Sequence, residues 1–477
     1  MRRSTRFHPA LMLTLTAGIA ACGDGTGPSG PPVVASVNGA TLPSGPVGST
    51  VIVEGENFGA EQDGGAVRFT AAGGTVAALI ASADDWTDGF IVTTVPSGAV
   101  TGPLVVETSE GTSTPVTFTV TQGAAFSPST VSWTATASLP AALSGLAAVA
   151  TGLGSAPMVY AIGGADDGDT PQTTVYSSTV GAAGSLAAWN QTASLPQAVA
   201  LHRAVVATPA NAPVSGSGFI LVLGGITDAH GTVTGTIQRG TLAADGSVTS
   251  WSSAGTLPQP LHSFGAAIVF GQLYVWGGAG TGNTPSAAAY RAAISPGGGL
   301  GSWQPLAALP FARAHFGYGA FAGRLYALGG DSTATAPSAG ALPGGGRIST
   351  VTHAKIDLQS RDLTAAGWGD NPATLIKATS KHTALVAGGN VLVTAGLYNG
   401  AATGATEESY AQLNADGTLA SFNGATGSNT ILSQGGGNLY NHAVAGYVDA
   451  DGAFHVLVLG GDDVNAPGTK HAEVFYY

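Results

Sequence analysis

Charge is scarce in this chain: Asp, Glu, Lys and Arg make up only 9% of its 477 residues, and they leave a formal net charge of −12. A sparse, acidic charge offers no electrostatic footprint to a polyanion, so nucleic acid is excluded as a partner. Cysteine occurs once, at Cys22, so no disulfide can form within the chain and no thiolate cluster can hold a metal. No long amphipathic helical period occurs, and the apolar run over residues 10–21 is too short to span a bilayer. Phosphate-binding loops, nucleophile elbows and zinc-helix motifs are also lacking, so no ready-made reaction centre presents itself. What is plentiful is glycine, 73 residues, within a 44% apolar composition. That balance fits a turn-rich β protein with ample core, of two or more domains or one large repeat domain.

Arg2, Arg3 and Arg6 precede the short apolar run, which reads as a signal peptide over residues 1–21. Ile19-Ala20-Ala21-Cys22 resembles a bacterial lipobox. The resemblance implies a lipid on Cys22 and a chain anchored to the outer face of a membrane, the outer membrane in a cell that has one. A plain secretory signal with an incidental cysteine is the alternative. Cleavage after Ala21 removes three arginines and no acid, which takes the net charge to −15. Residues 22–32, rich in Gly and Pro, form a flexible tether.

Over residues 33–120, short runs such as Val51-Ile52-Val53, Val67-Arg68-Phe69 and Ile91-Val92-Thr93 alternate with turn residues, which predicts a small antiparallel sandwich. Gly48-Ser49-Thr50-Val51-Ile52-Val53-Glu54-Gly55-Glu56-Asn57-Phe58-Gly59 resembles the signature of the IPT/TIG family of immunoglobulin-like domains, as do Val95-Pro96-Ser97-Gly98 and Val116-Thr117-Phe118-Thr119-Val120. The resemblance implies a spacer or protein-contact module. Phe58 and Trp86 are expected in its core or anchoring its loops.

From residue 131 to 477 the chain repeats itself. Trp133, Trp189, Trp251, Trp303, Trp368 and Phe422 each open a similar stretch, and Leu-Pro follows the first four at Leu139-Pro140, Leu195-Pro196, Leu257-Pro258 and Leu309-Pro310. Each of these units later reaches an apolar run ending in Gly-Gly, as at Tyr274-Val275-Trp276-Gly277-Gly278; the fifth unit has Ala395-Gly396 instead. The third unit is expected to place strands at 265–270, 272–276, 287–294 and 300–303. Four-stranded units of this kind resemble kelch repeats, which implies a six-bladed β-propeller and an all-β fold overall. The last residues, Ala472 to Tyr477, read as a third strand with no fourth, and Val131 to Thr134 as a fourth strand with no blade before it. The two ends are therefore expected to pair, which also removes open sheet edges.

In such a propeller the loops after strand two and the links between blades share one face. The links carry His202, Arg203, His262, Arg313, His315, Lys381, His382 and His442, and the second loops carry Asp166, Asp167, Asp169, Asp228, His230, Asp331, Asp462 and Asp463. Ligand binding is expected at this mouth, with His202, Arg203, His262, Arg313, His315, Asp331, His382 and His442 as its candidate residues. One histidine per blade puts five on a circle too wide for one zinc, so blade-bridging is the default role of the ladder. Asp166, Asp167 and Asp169 of the first blade, with Asp462 and Asp463 of the sixth, read first as a solvated acidic rim; hard oxygens for Ca²⁺ are the alternative.

Galactose oxidase resembles this architecture, but its copper site needs a tyrosine crosslinked to a cysteine, which the mature chain cannot supply. The sialic acid mutarotases, six-bladed kelch proteins of the bacterial envelope, stay open as a resemblance, because ring opening needs only an acid and a base beside a sugar-shaped pocket. Arg313, His315 and Asp331 clustered in a deep pocket would favour such an enzyme. No catalytic residue is assigned. The favoured expectation is a surface-anchored, non-enzymatic protein binding a glycan or a protein, with a structural or adhesion role as the remaining alternative.

Overall fold

The computed structural model describes residues 30–477 apart from 38–42, 49, 82, 122–127, 152–156, 210, 322, 333–345, 388–389, 399–407, 415–416, 425–438, 449–453, 464–465 and 467. The signal peptide, Cys22 and most of the tether lie outside the described residues.

Two sheets form the first unit. Val33–Val37, Thr50–Glu56 and Phe90–Thr94 make one; Ser44–Pro46, Val116–Thr121, Ala99–Thr108, Ala66–Ala71 and Gly74–Ala77 make the other. Alternation along the strands puts Val51, Val53, Val67, Phe69, Leu104 and Val106 in the shared core, each no more than 1% exposed. Phe58 and Trp86 are equally buried, and the Trp86 indole donates to the Phe58 carbonyl at 2.9 Å.

Six four-stranded antiparallel sheets follow, and the protein is an all-β sandwich followed by a six-bladed β-propeller. The innermost strands of blades 1 to 6 are Ala147–Thr151, Arg203–Ala207, Gly265–Val269, Gly317–Phe321, Thr383–Ala387 and Ala443–Val448. The second strands, such as Phe219–Leu223 and Arg324–Leu328, are buried along their whole length because blades cover both faces. In blade 6 the order outward is Ala443–Val448, Phe454–Leu459, Val474–Tyr476 and Thr134–Ala135. Thr134 lies opposite Tyr476 and Ala135 opposite Phe475, so the sheet joins residues more than 300 apart in sequence.

The repeated tryptophans are links between blades. The indole nitrogens of Trp189, Trp251, Trp303 and Trp368 donate to the carbonyls of Ala137, Ala193, Thr256 and Ala307, at 2.8 to 3.0 Å, each just ahead of a Leu-Pro of the preceding repeat. This corrects the fourth strand expected in blade 3. It runs over Gln304–Leu306 instead of 300–303, because Trp303 is turned to its inter-blade bond and Leu300 makes only an isolated bridge to Ile294. Gly-Gly is demanded by close approach. Both glycines have positive φ in five blades, and a Cβ on Gly224 would lie 2.3 Å from the Leu261 carbonyl of the next link. In blade 5 Ala395 takes the first of these positions at φ 52°, a left-handed conformation that costs an alanine about 1–2 kcal/mol.

The sandwich sits against the end of the propeller where strands one and two turn. Lys355 of blade 4, only 7% exposed, pairs with Asp85 at 3.0 Å, and the Arg361 guanidinium lies over Phe90 of the sandwich at 4.3 Å and Phe270 of blade 3 at 4.9 Å. Between the units is a cavity of about 710 Å³, bordered by Ile52 and Glu54 on one side and Asn211, Phe270 and Phe321 on the other.

Candidate functional site

The mouth of the propeller is roofed by its own backbone. Gly145, Leu201, Ser263, His315, Lys381 and Asn441 occupy the same place in successive blades. The N–H of each donates to the carbonyl of the one before, and Gly145 closes the circle on Asn441, at 2.7 to 3.1 Å throughout. All six are left-handed, with φ between 52° and 59°, although five are not glycine. Such backbone persists only where its surroundings over-determine it, and here the six bonds do so.

This ring sets the register of every candidate. His202, His382 and His442 lie one residue after it, His262 one before, and His315 within it, so the five histidines share no single circle. The first three are turned into the walls between blades and are less than 5% exposed. His382 accepts through Nε2 from the Gly317 N–H at 3.0 Å, and His442 Nε2 meets the hydroxyls of Thr383 and Thr394 at 2.6 and 2.9 Å. Burial drives the pKa of His202 and His442 to about 3 and of His382 to about 4, so all three are neutral at pH 7. Arg313 also leaves the mouth. Fully buried, it donates through Nη1 to the carbonyls of Ala327, Gly329 and Thr350 and stacks on Phe311, and burial lowers its pKa to about 10. The trio Arg313, His315 and Asp331 therefore does not form one pocket.

Two candidates do meet at the axis. His315 Nδ1 is 3.4 Å from Asp331 Oδ2, with side chains 2% and 0% exposed, and the His262 ring centroid is 5.6 Å from that of His315. Burial lowers both imidazole pKa values, in His315 against the upward pull of Asp331. Asp331 and Asp462 occupy equivalent places, each just after a Gly-Gly, where blades 1 and 2 have Ala165 and Ile226. Blades 3 and 5 have Ala279 and Leu397 there, so four of these six places are apolar, with Leu201 and Ala200 packed on Ala165 and Ile226, and two are acidic.

The acidic loops of blades 1 and 6 come together around a lysine. Lys470 Nζ, with no exposed side-chain surface, sits 2.9 Å from Asp462 Oδ1 and 2.8 Å from Asp169 Oδ1, while its backbone N–H donates to Asp167 Oδ1. A fixed ammonium thus lies between Asp169 and Asp462, two of the carboxylates considered for calcium. Asp166 turns inward on its own loop, accepting from the N–H groups of Gly168 and Thr170, and Asp463 lies 3.8 Å from His471. Among the described residues no group of three or more His, Cys, Asp or Glu side chains is placed to hold a metal ion. Burial raises the pKa of Asp462; that of Lys470 is also raised, burial being outweighed by Asp462 and Asp169.

Below the ring the space opens into an axial chamber of about 450 Å³, lined by the innermost strands. Arg203 lies here and not at the mouth, with its guanidinium 4.8 Å from the Tyr318 ring centroid. Sequence reasoning missed Lys470 and Tyr318 altogether. A usable signal did exist: in blades 1 to 4 the ring residue falls six positions after the leucine of Leu-Pro, as in Leu309 and His315.

No protein-family model matches the chain, and no curated protein matches it. Among solved structures it is similar to that of YjhT, with 12% identity and a TM-score of 0.48, over 71% of this chain and 95% of that one.

Proposed function

We propose that this is a surface-anchored, non-enzymatic recognition protein that binds a glycan or a protein on the rim of the propeller mouth, with an IPT/TIG-like sandwich as its spacer. The observation that carries the reading is the closed, internally paired axis. His315 and Asp331, the best acid and base by type, lie beneath the surface, and Lys470 is engaged by two carboxylates. Catalysis on a sugar needs such groups within reach of the reacting atoms.

What faces solvent at this end is a set of preformed loops. Asp228 Oδ1 accepts from the N–H groups of His230 and Thr232, repeating the arrangement of Asp166 in the blade before, and Asp167, His230 and Thr232 are exposed on these loops. Loops held in one conformation lose little entropy on binding. On a glycan array probed with the chain lacking residues 1–32, a specific signal should fall by about tenfold in Asp167→Ala and His230→Ala together, roughly the loss of one or two hydrogen bonds to charged groups. Binding indifferent to both changes, or accelerated exchange of sugar anomers by the protein, would overturn this reading.

The anchor rests on the lipobox-like residues ahead of Cys22. Cys22→Ser should abolish incorporation of labelled palmitate and release the protein from membranes, because the acyl chains hang from that thiol. Labelled lipid on the Ser variant would show that the anchor is placed elsewhere.

A further inference from the structure

Two arginines of the propeller lie in the same kind of place, beside the inner strands and over an aromatic ring, yet they are engaged differently. Arg313 is wholly buried and its Nη1 reaches three carbonyls, while its Nε and Nη2 are shut away from the chamber without a partner. Arg203 keeps part of its surface open to the axial chamber. Its Nε donates to the Phe264 carbonyl at 2.6 Å and its Nη1 to the His202 carbonyl at 3.2 Å, while Nη2 has no hydrogen bond among the described residues. No carboxylate among the described residues pairs with it. The imidazoles of His202, His262 and His315 near it are held neutral by burial. The Tyr318 hydroxyl likewise makes no hydrogen bond among the described residues, and the Tyr318 ring also meets Trp276, edge-on at 6.1 Å. A half-buried guanidinium without a counter-charge beside it is costly.

We infer that the axial chamber is a binding site for a small oxyanion-bearing molecule, a carboxylate or a phosphate, received by the free edge of Arg203 and the Tyr318 hydroxyl. Guanidinium is suited to this because it offers parallel N–H donors to two oxygens of one anionic group. At about 450 Å³ the chamber is within the size range of small-molecule sites. The ring of six backbone hydrogen bonds shuts its upper end, so the ligand does not arrive from the mouth. Asn211, Ile268 and Ala320 border both the chamber and the cavity beneath the sandwich, so the two spaces adjoin, and the inferred route of access is on the sandwich side. The site is separate from the rim and does not depend on what the rim binds.

The test uses sodium phosphate, sodium succinate and neutral succinamide at constant ionic strength, with thermal melting and titration calorimetry on the chain lacking residues 1–32. Phosphate or succinate should raise the melting temperature of the wild type beyond that of Arg203→Gln, and succinamide should not; general salting effects act on both proteins alike and cancel in the comparison. Affinity for the effective anion should drop roughly tenfold or more in Arg203→Gln and be partly restored in Arg203→Lys. A second measurement needs no ligand. Arg203→Met, which gives up two carbonyl hydrogen bonds, should lose clearly less melting temperature than Arg313→Met, which gives up three in a fully buried setting. Equal anion responses in wild type and Arg203→Gln, or a loss in Arg203→Met as large as that in Arg313→Met, would reduce Arg203 to a second structural clamp and overturn the proposal.

Discussion

Lys470→Met is expected to lower the stability of the propeller by about 3–5 kcal/mol, the usual cost of removing one member of a buried ion pair. The size follows from burial: both side chains of the Lys470 and Asp462 pair are 0% exposed, and what remains to Asp462 is an uncharged hydrogen bond from the Asn441 amide at 3.1 Å and the weaker pull of the Lys381 charge. The pH dependence gives the mechanism. Burial raises the pKa of Asp462 in the folded chain, so the fold holds a proton over a range in which the unfolded chain has lost it, and stability falls as pH rises from the ordinary value of 3.8 through the folded one. Removing the lysine pushes that window upward. The deficit of Lys470→Met against wild type should therefore be largest at pH 7 and smaller at pH 5, as measured by urea unfolding followed through tryptophan fluorescence. A deficit constant across that range would mean that the variant suffers from lost packing and not from stranded charge.

A larger loss is expected from deleting the last four residues, 474–477. Val474 and Phe475 are each 1% exposed, and truncating a buried phenylalanine alone costs about 3–5 kcal/mol. The deletion also takes out the strand that lies between Leu457–Leu459 and Thr134–Ala135, leaving two unpaired edges and no closure of the circle of blades. The product should be aggregated or lack a cooperative unfolding transition in size-exclusion and melting experiments. A monomer that melts like the wild type would show that the ends contribute nothing to the fold.

Much of the architecture was legible because it rests on residues with one physical use each. A tryptophan that links neighbouring blades, a Gly-Gly pressed against a carbonyl and a Leu-Pro ahead of each link recur at fixed offsets, and they number the blades. Gly184, Gly246, Gly298 and Gly417, each five residues before an aromatic of the repeat, mark a turn in the same register, and all four have positive φ. The site was harder to read. His202, His262 and His315 look equivalent in sequence, yet a shift of one residue sends one side chain into a wall and another to the axis. Arg203 and Arg313 are alike by type, and both donate to carbonyls, but only Arg203 keeps an edge open to the chamber, a difference that the surrounding packing decides. Lys470 escaped notice because its partner Asp169 lies about 300 residues away in sequence and meets it only once the first and sixth blades are neighbours.

The backbone ring also acts as a counter. Each blade brings one donor and one acceptor to a hoop that has no ends, so the hoop is complete only with every repeat present and in register. A chain with a repeat missing would strand an amide and a carbonyl at the centre of the molecule, far from water that could satisfy them. Length can change freely in the outer turns, but at the hub the number of repeats is fixed by the requirement that the last hydrogen bond find the first.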